Sequence, residues 1–138
     1  MLVRGALLCE LPIAASLYQR VLRDTFTWLP AWRHNAQDFL NAAADESVHV
    51  AVADARIVGV ASVFEPDDFI HSLYVAERGE GVGKALLDHV AARAKGPLSL
   101  KCQVQNLRAR AFYAREGFRE MERGADLVTG VAWVRMQR

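Results

Sequence analysis

A glycine-rich segment between a strand-like run and a helical run constrains the fold more than any other feature. The apolar pattern of residues 69–75 predicts a strand, and the 3.6-residue spacing that follows predicts a helix over 82–95. Alternating apolar residues over 98–104 predict another strand. A strand, a helix and a strand in this order form a βαβ unit, which should place two parallel strands side by side with a right-handed crossover.

The remaining periodicities extend this unit to the order β-α-α-β-β-β-α-β-α-β. They predict a strand at 2–9, helices at 11–22 and from Asn35, an antiparallel hairpin at 48–64, a short helix ending at Gly117 and a last strand-like segment at 127–136. We find no internal repeat and no linker composition. We therefore expect one domain over residues 1–138.

Composition excludes several classes of function. The net charge of +1 gives no reason to expect a nucleic-acid partner, and no apolar run approaches the roughly 20 residues that span a bilayer. The two cysteines, Cys9 and Cys102, are interpreted as core thiols of a reduced, cytoplasmic protein. The four histidines show no ligand spacing, so no metal site is expected.

Gly79, Gly81 and Gly83 precede the predicted helix, where glycine lets backbone approach a ligand closely. The unpaired N–H groups of a first helical turn bind phosphate, and Arg78 and Lys84 add positive charge. The pattern is not a P-loop, which needs glycine at 78 and Ser or Thr at 85. It is not a dinucleotide fingerprint either, because its third glycine would fall at 84. On the loop alone, a tight turn without a ligand is an equal alternative.

Two motifs resemble the signatures of the GNAT acetyltransferase superfamily. The first runs from Leu73-Tyr74-Val75 through Arg78-x-x-Gly81-x-Gly83-Lys84, and the second from Asn106 through Phe112-Tyr113 to Gly117-Phe118. The resemblance implies an α/β (α+β) fold with a mixed, strongly twisted β-sheet and helices on both faces. It also implies acetyl-CoA as cofactor and a small-molecule or peptide amine as acceptor, with a homodimer as one option.

The resemblance assigns residues to the acetyl-CoA site. It implies that the strands 69–75 and 98–104 splay apart around the pantetheine arm, which Asn106 would also contact. The residues implied to bind the cofactor are Leu73, Tyr74, Val75, Arg78, Gly79, Glu80, Gly81, Val82, Gly83, Lys84, Asn106 and Phe112. Tyr113 would protonate the leaving thiolate. Phe69 stands where some relatives carry a general-base glutamate.

An amine acceptor must lose a proton, and His71 is the candidate base because its unperturbed pKa is near 6.5. It shares strand parity with Phe69, Leu73 and Val75. A surface or packing histidine is the alternative interpretation of His71. Glu65, Asp67 and Asp68 are alternative candidate bases, although their pattern is typical of a solvated turn. Trp28, Trp32 and His34 either wall the acceptor site or pack under a loop. A non-catalytic acyl-CoA-binding module and a longer acyl donor remain competing hypotheses.

Overall fold

The computed structural model describes residues 1–26 and 35–138. Trp28, Trp32 and His34 lie outside the described residues. The strands are β1 (Leu2–Gly5), β2 (Ser47–Ala53), β3 (Arg56–Phe64), β4 (Phe69–Val75), β5 (Ser99–Gln103), β6 (Arg119–Ala125) and β7 (Ala132–Gln137). The helices are α1 (Leu11–Thr25), α2 (Ala36–Ala43), α3 (Val82–Arg93) and α4 (Leu107–Arg115), with 3-10 turns at Leu8–Glu10 and Glu65–Asp67.

The described strands form one mixed sheet in the order β1-β2-β3-β4-β5-β7-β6. Among its described pairs, β4 with β5 is parallel and the others are antiparallel. The parallel pair flanks α3, so the predicted βαβ unit is confirmed. The antiparallel hairpin predicted over 48–64 is confirmed as β2 and β3.

Helices cover both faces of the sheet. Successive strand residues point to opposite faces, and each face contributes apolar side chains to its own core. Val50 and Val60 belong to the core under α1 and α2. Ala51 and Ala61, one residue further on, belong to the core under α3 and α4. The fold implied by the resemblance is therefore confirmed. No helix in residues 1–26 or 35–138 combines the length and apolarity needed to cross a bilayer.

The last strand predicted within 127–136 is confirmed as β7, which begins only at residue 132, but the preceding strand β6 was not predicted, and the two form a C-terminal hairpin. Residues 126–131 are its turn, in which the Asp126 carboxylate accepts from the Val128 and Thr129 N–H groups and Gly130 has φ +72°. The sheet edge β6 is exposed along nearly its whole length, and charged residues face both sides. Without a buried face, β6 lacks the apolar alternation that reveals a strand.

The predicted first strand is shorter than expected. The strand β1 ends at Gly5, and residues 8–10 form a 3-10 turn that Glu10 stabilises by accepting from the Leu7 N–H. Cys9 in this turn is exposed, so its interpretation as a core thiol is wrong. The interpretation is confirmed for Cys102, which is buried in β5.

Candidate active site

Strands β4 and β5 pair at only two positions and then separate. Their described register consists of Phe69 with Ser99 and Ile70 with Leu100, at the start of both strands. On its other edge β4 pairs with β3 up to Val75, while β5 pairs with β7 up to Gln103. The sheet therefore forks after Ile70, and the gap opens towards the glycine segment that follows β4.

The backbone of β4 presents alternate residues to this gap. The Ala76 N–H donates to the Val58 carbonyl, which identifies 58 with 76 as a hydrogen-bonded antiparallel pair. The pairs of Val60 with Tyr74 and of Ser62 with Ser72 are then also hydrogen-bonded pairs, so the backbone groups of Tyr74 and Ser72 bond to β3. Leu73 and Val75 belong to the intervening pairs, so their N–H and C=O groups point towards β5 and into the gap.

The glycine segment turns the chain into α3 through two left-handed residues, Gly79 at φ +82° and Gly81 at φ +73°. Gly81 caps the helix without a side-chain hydrogen bond. The first helical bond is donated by the Ala85 N–H to the Gly81 carbonyl, so the amides of residues 82–84 have no partner in the helix. A Cβ at Gly79 or Gly81 would meet no atom within 4 Å. The turn thus combines unpaired donors with open space.

The charged residues of this segment differ in whether their side chains have ionic partners. Lys84 Nζ lies 3.2 Å from Glu116 Oε2 and 3.4 Å from Asp88 Oδ2, and the hydrogen bond to Glu116 raises the pKa of Lys84. Arg78 and Glu80 are exposed, and neither makes a side-chain hydrogen bond or ion pair within the described parts of the chain. Arg78 is therefore the free cation of the turn, while two carboxylates already hold Lys84.

Asn106 and Phe112 lie where α4 approaches the turn. Asn106 caps α4, its Oδ1 accepting from the Ala109 N–H at 3.2 Å, which leaves its amide N–H groups for another partner. The Phe112 ring lies beside Gly83, where a Cβ would be 3.4 Å from the ring. Phe112 thus packs under the first turn of α3 and supports its backbone.

Tyr113 is buried on α4 between the rings of Phe112 and Phe118, at centroid distances of 5.2 and 5.5 Å. Burial raises the pKa of the Tyr113 phenol well above its ordinary value of about 10, so the hydroxyl stays protonated at neutral pH. Burial also raises the pKa of Cys102 to about 11. A thiol in that state is a poor nucleophile, which argues against a covalent acyl-enzyme at Cys102.

The side chain of His71 lies on the α2 face of the sheet. Ser72 pairs with Ser62, but Ile70 pairs with Val63, so His71 is the extra residue of a β-bulge. The predicted parity of His71 with Leu73 and Val75 is therefore wrong, because a bulge shifts the alternation by one residue. Its parity with Phe69 is confirmed, since both line the same cavity.

His71 has a buried partner that the sequence motifs did not identify. His71 Nδ1 lies 3.0 Å from Glu46 Oε1, and the two side chains are 51% and 6% exposed. Glu46 precedes β2 and is 25 residues away along the chain. Only the β2–β3–β4 register brings the two together, so no local spacing could indicate the pair.

The chain is similar to known proteins of one family. The profile of the Acetyltransferase (GNAT) family matches residues 14–118, which is most of the chain. The protein belongs to the GNAT acetyltransferase family, whose members act on amine acceptors.

Three relatives illustrate the similarity. A "5-NmdU N-acetyltransferase" of Pseudomonas phage PaMx11 is 36% identical over 78 residues, which is 51% of this chain and 56% of that relative's length. A GCN5-related N-acetyltransferase from Rhodopseudomonas palustris has 21% identity and TM-score 0.81 over 99% of this chain and 94% of its own. A candidate streptothricin acetyltransferase from Bacillus anthracis, in complex with acetyl coenzyme A, has 19% identity and TM-score 0.62 over 68% and 62%. The two solved structures establish the fold alone.

Proposed function

We propose that this protein transfers an acetyl group from acetyl-CoA to a primary amine by direct attack of the amine. The observation that carries the proposal is the fork between β4 and β5, which opens beside an uncapped helix start. Backbone donors and acceptors line its edge, and free amides lie at its mouth. That combination suits a long polar arm ending in a pyrophosphate.

The donor set fits acetyl-CoA in two places. The unpaired amides of residues 82–84 and the positive end of α3 would bind the pyrophosphate, with the open space at Gly79 and Gly81 admitting it. Arg78 would add a cation that no carboxylate of the described chain neutralises. The Leu73 carbonyl and the N–H and C=O groups of Val75 would bond the pantetheine arm, and the Asn106 amide would donate to it from the opposite side.

Four of the residues assigned to the cofactor play indirect parts in this proposal. The Tyr74 ring packs edge-on against Tyr18 at 5.4 Å, on the α1 face, so Tyr74 supports the strand from behind. Lys84 contributes its backbone amide, because Glu116 and Asp88 hold its ammonium group. Glu80 and Val82 likewise act through the backbone, since Val82 is buried against Gly59.

Acetyl-CoA supplies an activated thioester, and the residues around the fork would handle charge and protons. The backbone N–H of Leu73, the gap-facing residue nearer to His71, would donate to the carbonyl oxygen as it gains negative charge, which leaves the Leu73 carbonyl and the Val75 backbone for the pantetheine arm. His71 would take the proton that the amine must lose when it forms the new C–N bond. Tyr113 would give its proton to the sulfur as the C–S bond breaks, and its raised pKa keeps the phenol protonated until that step.

The test is an acetyl-transfer assay that follows release of the CoA thiol with a panel of primary amines. Tyr113→Phe removes only the hydroxyl, and we expect turnover to fall about 100-fold or more, a typical contribution of general acid–base catalysis. Tyr18→Phe, which removes a phenol from the other face, is the matched control and should stay near wild type. Equal turnover of Tyr113→Phe and wild type would refute the assigned acid.

A second function has one specific observation in its favour. Phe69 occupies the strand position at which some members of the family carry a catalytic carboxylate, and its aromatic side chain cannot accept a proton. The protein would then bind acyl-CoA without transferring the acyl group. This binding module would be favoured if wild type and Tyr113→Phe both bound acetyl-CoA but released no CoA with any amine of the panel.

A further inference from the structure

An open cavity of about 310 Å³ lies between the end of α2 and the start of β4. Its walls come from the chain after α2, from the end of β3 with the 3-10 turn that follows, and from β4. The residues lining it are Ala42, Asp45, Glu46, Phe64, Asp67, Phe69 and His71. Nothing in the GNAT signatures predicts this cavity, because three of its residues come from positions 42–46.

The cavity adjoins the start of the fork. Phe69 and Ile70 make the only described pairs between β4 and β5, and His71 is the first residue beyond them. The bulge at His71 turns its side chain onto the α2 face, where Phe69 also lies. A molecule seated in this cavity therefore lies beside the point where the two strands separate, on the face opposite α3.

The pair of Glu46 and His71 gives the cavity a defined proton acceptor. A carboxylate only accepts hydrogen bonds, so the contact to Glu46 fixes the proton of a neutral His71 on Nδ1. His71 Nε2 then carries the free lone pair. Because the Glu46 side chain is 6% exposed and that of His71 is 51% exposed, the buried carboxylate orients the ring and the imidazole meets solvent.

Charge and apolarity in the cavity restrict its ligand. Phe64 and Phe69 provide an apolar surface, while the exposed Asp45 and Asp67 make the rim anionic. Among the described lining residues there is no lysine or arginine. An ammonium group on a flat apolar body matches both features. A phosphate-bearing acceptor would be repelled by like charges at short range.

We propose that this cavity is the acceptor pocket, that it takes a compact cationic amine on an apolar body without phosphate, and that Glu46 is the positioning residue for His71. The inference rests on the proposed acetyl transfer and specifies its acceptor.

The test compares tyramine with tyramine phosphate, which share an aromatic body and a primary amine. We expect kcat/KM with acetyl-CoA to be at least tenfold higher for tyramine, and Asp45→Asn with Asp67→Asn to reduce that ratio. Asp54→Asn, at the other end of the β2–β3 hairpin from Phe64, is the control and should leave the ratio unchanged. Equal kcat/KM for the two amines would overturn the pocket.

The same assay tests the positioning role. Glu46→Gln keeps shape but removes the charge, so it should lower kcat at least tenfold and change the pH profile of kcat/KM, with partial recovery in Glu46→Asp. An unchanged pH profile would overturn that role. Titration of tyramine into the CoA-saturated protein separates the two proposals: binding without transfer refutes the acetyl transfer alone, while transfer without phosphate discrimination refutes the pocket alone. Failure of tyramine both to bind and to react overturns the pocket.

Discussion

Asn106 performs two tasks with one side chain, and a single substitution separates them. Its oxygen caps α4, and its amide N–H groups are free to contact acetyl-CoA. Asn106→Asp keeps the capping oxygen and loses the N–H donors. We expect its free energy of unfolding to stay near wild type while acetyl-CoA binding weakens several-fold, as measured by urea unfolding and titration calorimetry.

Asn106→Ala is the comparison, because it loses both functions. It should cost about 0.5–2 kcal/mol of stability, the usual contribution of such a cap, and weaken acetyl-CoA binding as well. If Asn106→Asp bound acetyl-CoA as tightly as wild type, the side chain would have a capping role only.

Residue types and motif spacing predict the donor half of the site better than the acceptor half. The glycine segment, Asn106 and Tyr113 belong to contiguous motifs, whose local backbone geometry follows from the sequence. His71 could be selected by its ordinary pKa, but its face could not, because the bulge that sets it depends on the β3–β4 register. Glu46 gave no signal at all, since its partner is 25 residues away.

Gly59 fixes the distance between α3 and the sheet. A Cβ at this position would lie 2.7 Å from Val82 Cγ1 and 2.9 Å from Leu86 Cδ1, with the Tyr74 carbonyl at 3.3 Å. Gly59→Ala should therefore displace the start of α3 and destabilise the protein by about 1–3 kcal/mol. Because Val82 belongs to the proposed pyrophosphate site, acetyl-CoA binding should weaken too.

Gly5→Ala in β1 is the control for Gly59→Ala. A Cβ at Gly5 would meet no atom within 4 Å, so overpacking plays no part there. Urea unfolding of both variants checks the difference. Equal stability losses at the two positions would show that close packing of α3 is not what requires glycine at 59.

At the scale of elements, apolar periodicity predicts the buried strands and helices and misses the edge. The βαβ unit and the β2–β3 hairpin bury at least one face, so their patterns are readable. The strand β6 does not, and its charges pair with other elements, Glu122 with Arg135 of β7 and Glu120 with Arg110 of α4. Such pairing depends on register and leaves no period in the sequence.

The whole molecule should lose stability in mild acid because of a hydrogen-bonded chain that joins β2 to α3. His89 Nε2 lies 3.0 Å from His49 Nδ1, and Arg93 lies 3.1 Å from His89 Nδ1. Arginine only donates, so His89 must be protonated on Nε2 and donate to His49. The chain therefore needs both histidines neutral.

Burial, reinforced by Arg93, lowers the pKa of both His49 and His89, and the neighbouring His89 also lowers that of His49, whereas Glu65 opposes the shift at His49. Asp68 and Lys95 line the adjoining cavity. Since folded-state pKa values lie below the unfolded value near 6.5, the unfolded state binds more protons as the pH falls below about 6.5. The free energy of unfolding should then decrease until the folded pKa values are passed.

The measurement is urea unfolding between pH 7.5 and 5 for wild type and for His49→Gln with His89→Gln. The double variant should show a shallower decline below pH 6.5, because it lacks the two groups that take up protons on unfolding. His71→Gln is the matched control, because it removes a histidine that does not belong to the hydrogen-bonded group of His49, His89 and Arg93. Its free energy of unfolding should retain the steep decline. Parallel curves for wild type and the double variant would contradict the assignment.

Binding of acetyl-CoA at the glycine turn is the central claim, and titration calorimetry of wild type, Gly81→Asp and Gly130→Asp tests it most directly. Gly81 and Gly130 have φ +73° and +72° with open space around them, so both substitutions place a side chain on left-handed backbone. We expect binding to wild type and Gly130→Asp, and at least tenfold weaker binding to Gly81→Asp, because its carboxylate would lie beside the proposed pyrophosphate site. Equal affinity in all three folded proteins, or no binding to wild type, would contradict it.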